Sequence, residues 1–473
     1  MRSAILMGCC LIVGCGAGTE PSAARIVSTP AADDWKKPGD GDSVKPAPKT
    51  AIASDWAAFL GPSADSISRE VGIIAPWPKE GLRTVFTAEV GNGYVAPAIS
   101  KGRLFLFDRG ADKLRLRCLK STTGEPIWNF EYASDYEDFY GYDNGPRATP
   151  IVDGDRVYIS GPEGMLHCLG TEKGNVIWKV DTKAKFGVVQ NFFGVGSSPV
   201  IEENLLLVQV GGSPADSPAT GTGMAKPNGS AVVAFDKLTG EVKYQTGDDL
   251  ASYAGPVVAT INGRRWGFMF ARGGLLAFEP ATGKIDFRYP WRARILESVN
   301  ASNPVVVGDR VFISECYGVG STLLQVKPGG HEIVWSDADK GRQKSMMCHW
   351  MTPIYHNGYL YGSSGRHLPE AELRCIELAT GKVTWAEKDL TRTSLLMVDG
   401  HFLCLGEYGE LRLLKVNPTK YEEVSHMVVR KSSGLSKALQ AHPYWAAPVL
   451  SHGLLYIRGE DQLVCLELIP QTK

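Results

Sequence analysis

Apolar and polar residues alternate with a period of two along most of the chain, in short runs broken by turn residues. TPIVDGDRVYIS (from Thr149), NPVVVGDRVFIS (Asn303) and TPIYHNGYLYGS (Thr352) show the form. Such alternation predicts half-buried strands. Asp153-Gly154, Asn357-Gly358 and Asp399-Gly400 mark the reversals, because glycine and asparagine tolerate positive φ. The pattern returns as APAISKGRLFLF (Ala96), SPVIEENLLLVQ (Ser198) and APVLSHGLLYIR (Ala447). Its prolines, Pro97, Pro150, Pro199, Pro256, Pro304, Pro353 and Pro448, are separated by 53, 49, 57, 48, 49 and 95 residues. The last gap is nearly double, and SLLMVDGHFLCLG (Ser394) fills it with a proline-free copy. A fixed period of this size signals a repeat architecture.

A second landmark follows each copy. After Gly124, Gly174, Gly240, Gly283 and Gly381, the fourth residue on is Trp128, Trp178, Tyr244, Phe287 and Trp385; Trp335 follows Gly330 with one extra residue. Each unit therefore reads as four strands: a proline strand, an alternating strand, a third leading into a Thr-Gly turn, and a fourth that ends on the aromatic. Eight units start near residues 94, 146, 194, 253, 300, 349, 392 and 444. One such sheet cannot cover both its faces, whereas radial stacking does so and leaves only short edges. The expectation is an all-β, eight-bladed β-propeller of four-stranded blades. The aromatics plug the spaces between blades, each ring burying about 150–250 Å². The last unit stops after its third strand, and Gly81-LRTVFTAEV, with Phe86 in the aromatic position, is expected to supply the missing outer strand and close the ring.

The N-terminal stretch reads differently from the rest. Arg2 precedes the apolar run AILMGCCLIVG and then Cys15, a charged and then hydrophobic segment too short for a permanent bilayer span. Leu11-Ile12-Val13-Gly14-Cys15 resembles a bacterial lipoprotein signal. That resemblance implies a signal peptide over 1–14, lipidation of Cys15, and anchoring to a membrane of the cell envelope rather than spanning it; Gly16 after the cysteine favours the outer membrane. Residues 15–54, rich in Ala, Pro, Asp, Lys, Ser and Thr, read as a tether with too little apolar surface to fold. Residues 55–80 read as a packing segment and 81–473 as the propeller. Lys+Arg 50 against Asp+Glu 51, with no basic run, supplies no field for nucleic acid. Hydrophobic residues at 44% and charged residues at 21% are ordinary for a globular domain and argue against wholesale disorder. A closed propeller needs no partner for its core, so a monomer is expected.

Together the landmarks resemble the repeats of pyrroloquinoline-quinone (PQQ) dehydrogenases, A-x-D-x-x-T-G-x-x-x-W. Ala234-Phe235-Asp236…Thr239-Gly240…Tyr244 and Ala277-Phe278-Glu279…Thr282-Gly283…Phe287 match best. Length and signal look more like the non-catalytic PQQ-like propeller lipoproteins, including the barrel-assembly accessory lipoprotein of outer membranes. Asp55-Trp56…Phe59-Leu60-Gly61-Pro62 also resembles an N-terminal element of planctomycete-type PQQ-like repeat proteins.

Fold does not carry function with it. The resemblance to quinone-dependent alcohol dehydrogenases implies PQQ beneath a disulfide of adjacent cysteines, with Ca²⁺ held by acidic and amide side chains. The adjacent pair here, Cys9-Cys10, falls inside the signal, so PQQ with calcium is admitted but unsupported, and no cofactor or metal is expected. Cys118, Cys168, Cys375 and Cys465 occupy the small position of the repeat and read as buried hydrophobes. DYEDFYGYDNG (from Asp135) gathers oxygens suited to calcium, yet lacks EF-hand spacing and reads as an aromatic-anchored loop. The glycine-rich stretch 211–229 lacks the phosphate-loop pattern and reads as a mobile insertion.

The informative positions precede each innermost strand, where loops from all blades converge on one mouth of the channel. They hold Arg147, Asn191, Phe193, Tyr253, Asn300 and Asn303, then His349, Trp350, His442, Tyr444 and Trp445. Aromatics with a few polar groups make a binding surface; the simpler reading is a polar channel lining. His349 and His442 are the acid–base candidates at neutral pH. The leading expectation is a lipid-anchored envelope scaffold binding protein or polymer partners. The alternatives are a quinone-dependent oxidoreductase with a diverged site and a glycan-binding or hydrolytic propeller, which needs a pair of carboxylates about 5–9.5 Å apart.

Overall fold

The computed structural model describes residues 53–189, 191–218, 225–429 and 444–471. The expected signal peptide, Cys15, most of the tether, His442 and residues 219–224 of the glycine-rich stretch lie outside them. The alternating segments form eight four-stranded antiparallel sheets among these residues. Blades 1 to 7 span 98–133, 151–181, 200–246, 257–290, 305–336, 354–387 and 393–428. Blade 8 takes three strands from 449–467 and its outer strand, Thr84–Glu89, from the other end of the chain. Phe86 pairs with Cys465 and Thr87 with Val464, so the ring closes by main-chain hydrogen bonds. The α-helix among the described residues, Thr182–Phe186, is five residues long; Asp181 caps it and Gly187 ends it at φ 68°.

The two landmarks meet across the sheet. Trp128 stands opposite Cys118, Trp178 opposite Cys168, Tyr244 opposite Ala234, Phe287 opposite Ala277, and Trp385 opposite Cys375. The small residue leaves room for its cross-strand ring, and a register shift follows each pair, which increases the local twist. One expectation is corrected here. The aromatic is the third residue of the outer strand in these blades, as in Pro126–Ala133 and Val176–Asp181, rather than its last. The Thr-Gly turn is so tight that pairing resumes two residues before the ring.

Each ring then leans on the next blade. A Cβ built on Gly124 would lie 2.5 Å from the Phe86 ring, and one on Gly174 2.5 Å from the Trp128 ring. Trp178, Tyr244 and Trp335 cover Gly240, Gly283 and Gly381 in the same way. The indoles also donate to the neighbour's carbonyls: Trp128 to Thr171 (2.9 Å), Trp178 to Lys237 (3.1 Å), Trp335 to Leu378 (2.8 Å) and Trp385 to Asn417 (2.9 Å). Phe287 meets His331 instead, with ring centroids 4.7 Å apart. Blade 7 has Ser425 where the others carry a ring. There Trp77 of the N-terminal segment donates its backbone N–H to Ser425 Oγ (2.9 Å), and its indole is buried in the cluster shared by blades 7, 8 and 1.

Residues 54–77 run across the face that carries the first hairpin turn of each blade. Trp56 pairs with Ile99 in blade 1, Val152 of blade 2 donates to Ala57, and Ser66 and Ser68 pair with Met397 in blade 7. Glu70, 1% exposed, accepts from the amides of His452 and Gly453 in blade 8. This segment straps the seam where the ring closes and lies beneath the central channel.

Candidate functional site

Because the inner strands all start at the face opposite that strap, their leading loops converge there. They enclose an axial cavity of about 320 Å³ with residues from all eight blades in its wall. Phe59 and Leu60, from the D-W-x-x-F-x-G-P element, line it together with Ser66. Leu60 and Gly61 take φ of 63° and 82°, and the turn folds Gly61 onto the Trp56 indole at 2.8 Å from where a Cβ would stand. The element thus floors the channel and leaves a pocket open at one mouth.

Six of the sequence candidates line this cavity: Arg147, Phe193, Tyr253, His349, Trp350 and Trp445. Their rings form a nearly continuous belt. Tyr317 meets His349 at 6.1 Å, His349 meets Trp350 at 5.0 Å, Trp350 meets Trp445 at 5.1 Å, and Trp445 meets Tyr94 at 4.7 Å. Tyr142 bridges Trp445 and Phe193, which continues to Tyr253 at 5.6 Å. Beyond the belt the loop 135–147 carries Phe139, Tyr140 and Tyr142, each 45–52% exposed.

The other candidates are placed elsewhere. Asn300, 0% exposed, donates to the carbonyl of Ala271 (2.7 Å), and Asn303 accepts from Gly255 N (2.7 Å). Both satisfy backbone groups between blades rather than face the channel. Tyr444 packs on Gly409 and Gly459, and its amide donates to Glu407 O. Asn191 lines a separate cavity.

Tyr94, Tyr317, Arg366 and Arg392 were not singled out from sequence. Tyr94 and Arg392 occupy the same pre-strand position as Arg147 and Trp350, so that signal was present. Tyr317 and Arg366 lie in turns after the second strand of their blades, whose convergence on the mouth has no mark in the repeat.

Three arginines set the electrostatics. Arg392 stacks over Trp350 (4.6 Å) and Trp445 (5.3 Å) and pairs with Glu407, whose carboxylate is 1% exposed and also accepts from Trp445 Nε1 (3.1 Å). Arg147 pairs with Asp138 at 2.6 Å. Arg366 lies over the Tyr317 ring at 4.4 Å and has no ion-pair partner among the described residues. Burial, with Arg392 and Arg366 alongside, pushes His349 down to about 3. It is therefore held neutral at pH 7, and the charged groups beside it among the described residues are the cations Arg392 and Arg366 rather than an orienting carboxylate.

The residues present do not fit a calcium–quinone centre. Calcium needs several free oxygens, but Asp138 accepts from the amides of Tyr140 and Tyr142 and from Arg147, and Asp143 from Gly93 and Gly145. Among the described residues no three His, Cys, Asp or Glu side chains gather as a metal site. All seven described cysteines are free and buried.

The family described as outer membrane protein assembly factor BamB matches residues 86–387. No curated protein sequence matches the chain. Among solved structures, BamB from Moraxella catarrhalis is similar with a TM-score of 0.54 at 12% identity, covering 83% of this chain and 99% of that one. The computationally designed Ika8 protein follows at 0.51 and 9% identity, covering 81% and 98%. Quinohemoprotein alcohol dehydrogenase from Comamonas testosteroni gives 0.47 at 12% identity, covering 89% and 81%. At such identities the first two likenesses speak for the fold alone. The sequence match over more than half of the chain goes further: the chain belongs to the BamB family of outer membrane protein assembly factors.

Proposed function

We propose that this protein is a cell-envelope scaffold that binds protein partners at the axial mouth and takes part in outer-membrane protein assembly. The observation that carries the reading is the belt of aromatic and arginine side chains around a floored cavity. Tryptophan, tyrosine and arginine dominate binding energetics, because they bury large areas while keeping a polar handle. Arg392 and Arg147 are held by their carboxylates, so the belt is pre-organised and loses little entropy on docking. An extended segment of a partner, laid across Phe139, Tyr140 and Tyr142, would reach the cavity with one side chain. Lipidation at Cys15, with the tether that follows it as spacer, would hold the mouth near its partners. No helix among the described residues is long and apolar enough to cross a membrane.

The test is site-specific photocrosslinking in cells, with the probe at Tyr142 and a control probe at Leu238, 48% exposed on the far side of blade 3. Tyr142 should yield one dominant adduct with an envelope protein, lost when Trp350 and Trp445 are both alanine. Equal adducts at the two positions, or none at Tyr142, would sink the proposal.

A further inference from the structure

A second cavity, of about 200 Å³, lies off the axis and crosses the top of blade 3. At its blade 4 end is Arg272, in the turn after that blade's second strand. At its blade 2 end are Glu163, in the equivalent turn, and Asp135, in the loop leading into that blade. Gln209 and Gly211 of blade 3 form the neutral stretch between.

The two ends carry acidic and basic side chains that form no ion pair with any described residue. Arg272 is 7% exposed, yet it donates only to neutral oxygens, Asn191 Oδ1 (3.3 Å) and Leu296 O (2.8 Å), and lies over the Phe192 ring. Its Nε has no partner, and no carboxylate reaches it within ion-pair distance among the described residues. Two acids lie near it: Asp249 is already taken by Arg288 (2.7 Å) and by the amides of Leu250 and Gly273, and Glu297 stays beyond ion-pair distance. A buried guanidinium without a counter-ion is costly to maintain. At the other end Glu163 accepts from Tyr132 Oη (2.9 Å) and Ser134 Oγ (3.1 Å) and has no ion-pair partner among the described residues. Burial and the nearby Asp135 push its carboxyl above the usual range. Asp135 is exposed at the rim with no partner among the described residues, and Lys183, also at the rim, pairs with neither acid.

An anion would satisfy Arg272 and be repelled at the far end; a cation would do the reverse. A molecule with both charges satisfies both, since a guanidinium fork suits a carboxylate and an ammonium supplies three donors to the acids. We propose that this cavity binds a small zwitterion of the α-amino-acid class, its carboxylate toward Arg272 and its ammonium toward Glu163 and Asp135. This site is independent of the axial mouth and of the scaffold reading.

The experiment is isothermal titration of the full chain with glycine, L-alanine, L-glutamine and glycylglycine, and with acetate and methylammonium as half-ligands. At least one zwitterion should saturate, with each half-ligand at least tenfold weaker; a preference for glycylglycine would identify peptides rather than free amino acids as the ligand. Arg272→Gln and Glu163→Gln should each weaken binding tenfold or more. Asp135→Asn, at an exposed position that no fold contact uses, should weaken it severalfold in a chain with unchanged circular dichroism. Three results would overturn the proposal: no saturable heat from any zwitterion at millimolar concentration, acetate binding as tightly as the zwitterions, or binding indifferent to Glu163→Gln and Asp135→Asn alike.

Discussion

Replacing Gly174 with alanine tests how neighbouring blades are locked together. Gly174 has φ 67°, and the added Cβ would lie 2.5 Å from the Trp128 ring. Gly154 is the matched control: its φ is 62°, and nothing lies within 4 Å of a built Cβ. Both substitutions carry the left-handed backbone cost, about 1–2 kcal/mol for a non-glycine residue. Gly174→Ala adds overpacking of about 1–3 kcal/mol. As the indole shifts, it also weakens the 2.9 Å bond from Trp128 Nε1 to Thr171 O, typically about 1 kcal/mol. Gly174→Ala should therefore be less stable than Gly154→Ala by about 2–4 kcal/mol, the sum of those last two contributions. Urea unfolding followed by tryptophan fluorescence reads the difference as a lower midpoint at similar slope. Equal midpoints for the two variants would refute the view that each ring is docked tightly on the next blade's turn.

Trp77→Ala should open a void where blade 7 lacks its own ring and cost about 3–5 kcal/mol, seen as a lower thermal midpoint; a loss under 1 kcal/mol would mean that Trp77 fills no gap. His167, 3% exposed against Phe130 and Tyr132, is pushed down by burial to about 4. Its folded pKa lies below the unfolded value near 6.5, so the unfolded chain binds the proton first. Stability is fully present above pH 6.5 and falls toward pH 4, by up to about 3 kcal/mol from this group. His167→Phe should flatten the stability–pH curve over that window, and an unchanged slope would refute the assignment. Arg392→Met strands the buried Glu407 carboxylate and should cost about 3–5 kcal/mol, part of it recovered by adding Glu407→Gln; unfolding of the single and double variants checks this. Cys15→Ala should move the protein from the membrane fraction to the soluble one and abolish fatty-acid labelling.

How much of the site could be read in advance follows from what a repeat encodes. Arg147, Phe193, Tyr253, His349, Trp350 and Trp445 precede innermost strands, and the period alone puts those loops at one mouth. Asn300 and Asn303 hold equivalent positions yet turn away, because backbone groups of Ala271 and Gly255, 29 and 48 residues distant, need their amides. Period locates a residue along its blade; the neighbouring blade decides where its side chain points.

By itself the sequence determined the eight units, the closure of the last blade by Thr84–Glu89, and the small-residue and aromatic positions, since alternation, turn residues and ring size are local properties that survive without a fold. Only the tertiary structure decided that Phe59 and Leu60 floor the channel, that Trp77 stands in for blade 7's missing ring, and that His349 is held neutral among arginines. Those outcomes depend on desolvation and on contacts between residues hundreds of positions apart, such as Trp77 and Ser425, and such contacts leave no period in the chain.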